Sequence, residues 1–299
     1  MDKTARRKKF KPGLKEISLM IIFQALQSAS PRAASLMAYH LWFHPGRKSA
    51  RALPEFQPAG TRAEKLKVNG KTVYYWSAGT GPGILLMHGW ASCGNHMANL
   101  GQALLDQGYR IIWLDAPAHG LSSGWQSNLY EISDAISAVQ KKEGEFHAVL
   151  AHSFGVPCTL LAIQNGLQVE KLVAISSPAT ATGLVDKFCK MIKAGKSTHE
   201  LLIKRIEKFV GGTHISEIDA ANLALNINHP SLVIHDKNDR MINCDEGRTL
   251  QKNLKNSSFV ETRRLGHNKI LNDPQTISLC VEFIQGKKPK LDTSALTTG

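Results

Sequence analysis

The chain has 299 residues, 42% hydrophobic and 20% charged, which suits one large folded domain or two small ones and excludes a disordered or fibrous polypeptide. Net charge is +13, but residues 1–51 hold eleven Lys/Arg against Asp2 and Glu16, a net of +9, so the remainder carries only +4. Any partner chosen by charge is confined to that arm, and no apolar run reaches the length needed to span a bilayer.

The arm begins with Lys3, Arg6, Arg7, Lys8, Lys9, Lys11 and Lys15, followed by Ile17-Ser18-Leu19-Met20-Ile21-Ile22-Phe23. That order matches the charged and apolar regions of a signal peptide, but Gln24 and Gln27 interrupt the apolar part and no A-x-A site follows. The reading preferred here is an amphipathic helix followed by a second one, capped by Ser30 with Pro31 at its first position and with Leu36, Met37, His40 and Leu41 at helical spacing. Such a pair packs on the body or lies on an anionic membrane surface. Equally open is a solvated basic tail before Gly13. That tail has Phe10 as its one aromatic and no recognisable nucleic-acid-reading motif, so no nucleic acid is expected as partner.

From Leu66 the pattern turns to short strands. Leu66–Val68 and Thr72–Trp76 flank Asn69-Gly70, a hairpin signal, and Ile84–Met87 is a continuous apolar run fit for a strand covered on both faces. Helix-like segments at Met97–Leu105, Leu129–Lys141 and Val156–Ile163 then alternate with strand-like ones at Arg110–Leu114, Phe146–Leu150 and Leu172–Ile175. This alternation predicts an α/β fold with a mainly parallel sheet and helices on both faces. Between Pro178 and Pro230 it pauses for three helix-like segments, Phe188–Ile192, Glu200–Val210 and Ile215–Leu225, which read as an inserted helical lid. It resumes with a strand at Ser231–His235, a helix at Glu246–Leu254, a strand at Phe259–Thr262 and a last helix at Thr276–Ile284. The expected layout is a basic helical arm over 1–60, a body over 61–286 with its lid at about 180–228, and a polar tail over 287–299.

Strand, serine and helix meet at Phe146–Ile163. The run ends in Ala151-His152-Ser153-Phe154-Gly155, a turn so tight that only small residues fit two places either side of the serine, whose hydroxyl it pushes out beyond the sheet. Gly120-Leu121-Ser122-Ser123-Gly124 matches G-x-S-x-G literally but lies between loops, so Ser153 is the candidate nucleophile and Ala151 an allowed variant. A serine needs a base oriented by a carboxylate. His235-Asp236-Lys237-Asn238-Asp239 and Leu265-Gly266-His267 each follow a strand, where such groups gather in open parallel sheets.

With His88-Gly89-Trp90 after the third strand, Asp115 to Ser122 after the fourth, the Ser153 turn after the fifth, Asp239 after the seventh and Gly266-His267 after the eighth, residues 66–285 resemble the α/β-hydrolase superfamily. The resemblance implies an eight-stranded sheet, a triad of Ser153, Asp239 rather than Asp236, and His267, and an oxyanion hole formed by the backbone N–H groups of Trp90 and Phe154. His88, Gly89 and His152 are candidates to line the substrate pocket, although a structural hydrogen bond beside the reacting groups is the commoner role of such histidines. The expected activity is hydrolysis of a carboxylic ester through an acyl-enzyme, with a thioesterase, another acyl-bond hydrolase or a non-catalytic ligand-binding protein as alternatives. No metal-ligand spacing, dinucleotide-binding glycine pattern or P-loop lysine is present, so no cofactor is implied. Cys93, Cys158, Cys189, Cys244 and Cys280 are scattered, odd in number and lack a C-x-x-C pair, which favours reduced thiols in the cytoplasm.

Overall fold

Short apolar runs bounded by turn residues become the strands of one eight-stranded sheet in the computed structural model, which describes residues 14–46 and 55–287. The basic stretch before residue 14 and most of the polar tail lie outside the described residues. In the larger of two compact units, Phe43–Thr182 with His214 onward, β1 (Arg62–Val68) and β2 (Lys71–Ala78) form the predicted hairpin about Asn69-Gly70. Both residues of that turn have positive φ, 47° and 76°, as a turn matched to strand twist requires. The hairpin adds antiparallel to a parallel set: β3 (Gly83–Met87), β4 (Arg110–Asp115), β5 (Phe146–His152), β6 (Val169–Ile175), β7 (Ser231–Asp236) and β8 (Ser257–Thr262). Strand order is β1-β2-β4-β3-β5-β6-β7-β8.

Period-2 alternation sends successive side chains of each strand to opposite faces. Leu85 and Met87 join one core with the helices Leu129–Glu143, Gly155–Gln164, Ala220–Ala224 and Cys244–Asn253, while Ile84 and Leu86 join a second core with the helices Ala98–Leu105 and Pro274–Ile284. Both faces are thus covered, the condition under which a parallel sheet is stable. The chain goes from β3 to β4 on one side and then to β5 on the other, and it is beyond the carboxyl ends of strands at such a reversal that open α/β sheets place their sites.

The helices, in chain order, are α1 (Leu14–Ala29), α2 (Pro31–Trp42), α3 (Ala98–Leu105), α4 (Leu129–Glu143), α5 (Gly155–Gln164), α6 (Ala181–Ile192), α7 (Lys196–Phe209), α8 (Ala220–Ala224), α9 (Cys244–Asn253), α10 (Gly266–Lys269) and α11 (Pro274–Ile284). Ser30 caps α2 as expected, its hydroxyl accepting the Ala33 N–H at 3.3 Å. Where one helix is expected over Ile215–Leu225, the chain instead makes a 3-10 turn, Ile215–Ile218, and then the short α8. Asp219 breaks the segment. Its backbone is extended (φ −61°, ψ 132°) and its carboxylate accepts the Ala181 N–H at 2.6 Å, at the start of α6.

The smaller unit consists of α1, α2, most of α6 and α7. Within it α2 packs along α7, Trp42 meets Phe188 edge-on at 5.3 Å, Tyr39 meets Phe209 at 5.9 Å, and the Arg205 Nε–H donates to the Ser35 hydroxyl at 2.9 Å. The first two inserted helices are therefore partners of the N-terminal pair, about 165 residues away in sequence.

Candidate active site

Ser153 sits between β5 and α5 with φ +53°, a left-handed conformation that costs a non-glycine residue about 1–2 kcal/mol. The turn is held by the Ser153 N–H donating to the Ile175 carbonyl (2.9 Å) and the Val156 N–H donating to the Ser153 carbonyl (3.0 Å). Close approach explains its small residues. A Cβ at Gly155 would stand 2.5 Å from the His88 carbonyl oxygen, and one at Gly89 would stand 2.8 Å from the Ser153 Cβ. The segment after β3 therefore passes directly against the serine.

The structure brings three of the expected residues into one hydrogen-bonded chain. The Ser153 hydroxyl donates to His267 Nε2 at 3.0 Å, and His267 Nδ1–H donates to Asp239 Oδ2 at 2.6 Å. Ser153 is half-buried, while His267 and Asp239 are buried. Asp239 Oδ1 accepts the Met241 and Ile242 N–H groups at 2.7 and 3.0 Å. Burial alone would raise the Asp239 carboxyl, but hydrogen bonds from His235 and His267 outweigh it and hold the group well below the usual carboxylate range. An ionised carboxylate therefore faces the imidazole at any pH near neutrality. Such a chain withdraws a proton from the hydroxyl and stabilises the resulting imidazolium.

Trp90 and Phe154 flank the serine, with their rings edge-on at 5.4 Å, and Trp90 also packs edge-on against His119 at 5.1 Å. Neither of their N–H groups donates to a turn or loop carbonyl among the described residues. His88 and His152 are almost wholly buried. Ala116 N–H donates to His88 Nε2 at 3.0 Å, so His88 Nδ1–H donates to the Gly89 carbonyl at 2.7 Å; that ring ties the Gly89-Trp90 segment to the end of β4. Burial pulls the His88 imidazole down to about 4. His152 Nε2–H donates to the His267 carbonyl at 2.9 Å, and burial, with the nearby His267, pulls its imidazole well below the ordinary value. Both are neutral braces in this geometry.

Ser122, the literal motif serine, is fully buried. Its hydroxyl donates to the Asp115 carbonyl (2.6 Å) and accepts the Tyr74 N–H (2.9 Å), so it pins the β4 loop to β2. Asp236, fully buried, does not reach His267. Its Oδ1 accepts the Asn238 and Gly266 N–H groups at 2.9 Å each, and its Oδ2 accepts the Thr262 hydroxyl at 2.9 Å and the Leu265 N–H at 3.1 Å. It thereby fastens the loop carrying the histidine to the loop carrying the acid.

Sequence reasoning did not find His235. Its Nε2–H donates to the Ile242 carbonyl (3.1 Å) and lies 3.5 Å from Asp239 Oδ2. A Cβ at Gly247 would come within 2.4 Å of its ring. The available signal was a polar pair, His235-Asp236, directly after the apolar run Leu232-Val233-Ile234. Among the described residues no group of three or more His, Cys, Asp or Glu is arranged to hold a metal ion.

A family model described as the alpha/beta hydrolase fold matches residues 82–195. Among solved structures, an esterase from Pyrococcus furiosus is similar with TM-score 0.63 and 18% identity over 82% of this chain and 99% of its own. An esterase from Exiguobacterium antarcticum follows with TM-score 0.60 and 16% identity over 75% and 100%. A bacterial membrane phospholipase A has TM-score 0.59 and 16% identity over 91% and 97%. At these identities the likeness is one of fold. No curated protein matches the chain in sequence.

Proposed function

We propose that the chain, which has the α/β-hydrolase fold, is a serine hydrolase that cleaves carboxylic esters by way of an acyl-enzyme. The observation that carries this reading is the continuous hydrogen-bonded chain from the Ser153 hydroxyl through His267 to Asp239, set on the turn between β5 and α5. Ser153 Oγ attacks the acyl carbon while His267 Nε2 accepts its proton, and Asp239 holds the imidazolium in place. The Trp90 and Phe154 N–H groups, each contributing about 3 kcal/mol, receive the charge that builds on the carbonyl oxygen. His267 then gives the proton to the departing alcohol. Water, deprotonated by the same nitrogen, attacks the acyl carbon, and the acid leaves as Ser153 regains its proton.

An ester, rather than an amide, as the first substrate class is supported by the names of the structural neighbours, two esterases and a phospholipase A. Five free, buried cysteines support a reducing compartment, the cytoplasm, as its location. The test is labelling by a fluorophosphonate probe followed by turnover of acyl esters and thioesters of increasing chain length. Wild type is expected to label and Ser153→Ala to remain folded, unlabelled and slower in kcat by at least about 10⁴-fold. Folded wild type that takes no label would overturn the proposal, and a kcat/KM that favours thioesters would move the substrate class.

A further inference from the structure

Helix α1 carries apolar side chains on the side it exposes as well as on the side it buries. Its polar Gln24 and Gln27 point inward: Gln24 Nε2 donates to the Ile192 and Lys193 carbonyls at 2.9 and 3.2 Å, and Gln27 Nε2 donates to the Lys193 carbonyl at 3.3 Å. Gln27 Oε1 in turn accepts the Gly195 N–H, so the two glutamines close the turn between α6 and α7. Phe23 joins them in the interior at 1% exposure. Ile17, Ile21 and Ile22, spaced i, i+4 and i+5, are 40%, 64% and 57% exposed. A row of exposed branched aliphatics where a surface helix places charge marks an interaction face.

Charge narrows what covers that face. The segments 1–42 and 183–213, to which the four helices of the smaller unit belong, hold fifteen Lys/Arg against five Asp/Glu, a net of +10 out of the chain's +13. Lys187, Lys190, Lys193, Lys204 and Lys208 on or beside α6 and α7 are exposed. A second copy of the same face would bring +10 against +10. An anionic bilayer offers both an apolar medium for the isoleucines and a negative surface for the net positive charge of these segments. At 16 residues α1 is about 24 Å long, short of a bilayer's hydrocarbon core. Among the described residues no helix is long and apolar enough to cross a membrane.

We propose that α1 lies in the plane of an anionic membrane, with Ile17, Ile21 and Ile22 in the acyl region and the surrounding lysines and arginines at the headgroups. None of these residues belongs to the Ser153 triad, so this inference stands or falls independently of the hydrolase reading. It is tested by co-sedimentation of the full chain with vesicles of equal parts phosphatidylcholine and phosphatidylglycerol, and with vesicles of phosphatidylcholine alone. Wild type is expected to bind the anionic vesicles and to be released by raised salt. The triple variant Ile17→Ser, Ile21→Ser, Ile22→Ser loses at least tenfold in partitioning, while its thermal midpoint and its labelling by fluorophosphonate stay as in wild type. Equal binding of wild type and triple variant, no binding of wild type, or equal binding to both vesicle types would overturn the proposal. So would a concentration-dependent dimer that the three serines abolish while vesicle binding persists, which would assign the face to a second copy.

Discussion

Asp236 and Asp239 stand three residues apart at the end of β7, and the contacts of each define a different experiment. Asp239 touches the imidazole, so Asp239→Asn, which keeps an oxygen for the Met241 and Ile242 N–H groups, is expected to lower kcat about 10³–10⁴-fold with a small change in the urea midpoint. Asp236 touches four donors in two loops, so Asp236→Ala strands buried N–H and O–H groups and is expected to cost about 3 kcal/mol of stability. Its kcat falls because Gly266 and His267 lose their anchor; kcat in Asp236→Ala with unchanged stability would contradict the bracing role. Ser122 supplies the control. Ser122→Ala is expected to cost about 1–2 kcal/mol while Ser153 labels at its wild-type rate, since the Ser122 hydroxyl is spent on the Asp115 carbonyl and the Tyr74 N–H. The order Ser153, Asp239, His267 was legible because each residue follows a recognisable strand. The bracing by Asp236, His235 and His152 was not, because it runs between residues as far as 115 positions apart and no local pattern encodes it.

At the scale of elements, the elbow depends on Gly155 more than on Ala151, the position that departs from the G-x-S-x-G pattern. Ala151 is fully buried within β5, whereas a methyl at 155 meets the backbone at the end of β3, which has no flexible side chain to move aside. Gly155→Ala is therefore expected to destabilise by about 1–3 kcal/mol and to slow fluorophosphonate labelling; a variant as stable and as reactive as wild type would show that the β3–α5 contact is looser than it looks. Strands rich in Ile, Leu and Val were legible as apolar runs, and the helices as longer amphipathic stretches. The first half of β1 was missed because Arg62-Ala63-Glu64-Lys65 is exposed and polar; only its seven-residue register with β2 makes it a strand. The break at Asp219 was missed for the same reason: the Ala181 N–H that attracts its carboxylate is 38 residues distant. Pairing of α2 with α7 likewise has no signature in either segment alone.

Taken as a whole, the larger unit holds neutral histidines in its interior, and that makes its stability depend on pH. His88, His119 and His152 are buried, and burial lowers each imidazole, to about 4 for His88, about 3 for His119 and well below the ordinary value for His152. Above the unfolded value near 6.5 they are neutral in both states and contribute no slope. Below it the unfolded chain takes up protons that the folded chain refuses, so stability falls with pH by about 1.4 kcal/mol per unit for each histidine until the folded values are reached. At pH 5 that amounts to about 2 kcal/mol each, a large share of a typical domain's 5–15 kcal/mol. Urea midpoints from pH 7.5 to 5 are expected to drop steeply, and His119→Phe is expected to flatten the slope; parallel curves for variant and wild type would rule this source out. The sheet order has a last consequence, for synthesis. The serine emerges from the ribosome 114 residues ahead of the histidine it needs, and the strand that delivers that histidine is the outermost and last. Under the proposed mechanism a nascent or truncated chain ending before His267 carries an exposed serine with no base, and should be inert toward the probe. Under that mechanism, timing of translation keeps an unfinished chain silent.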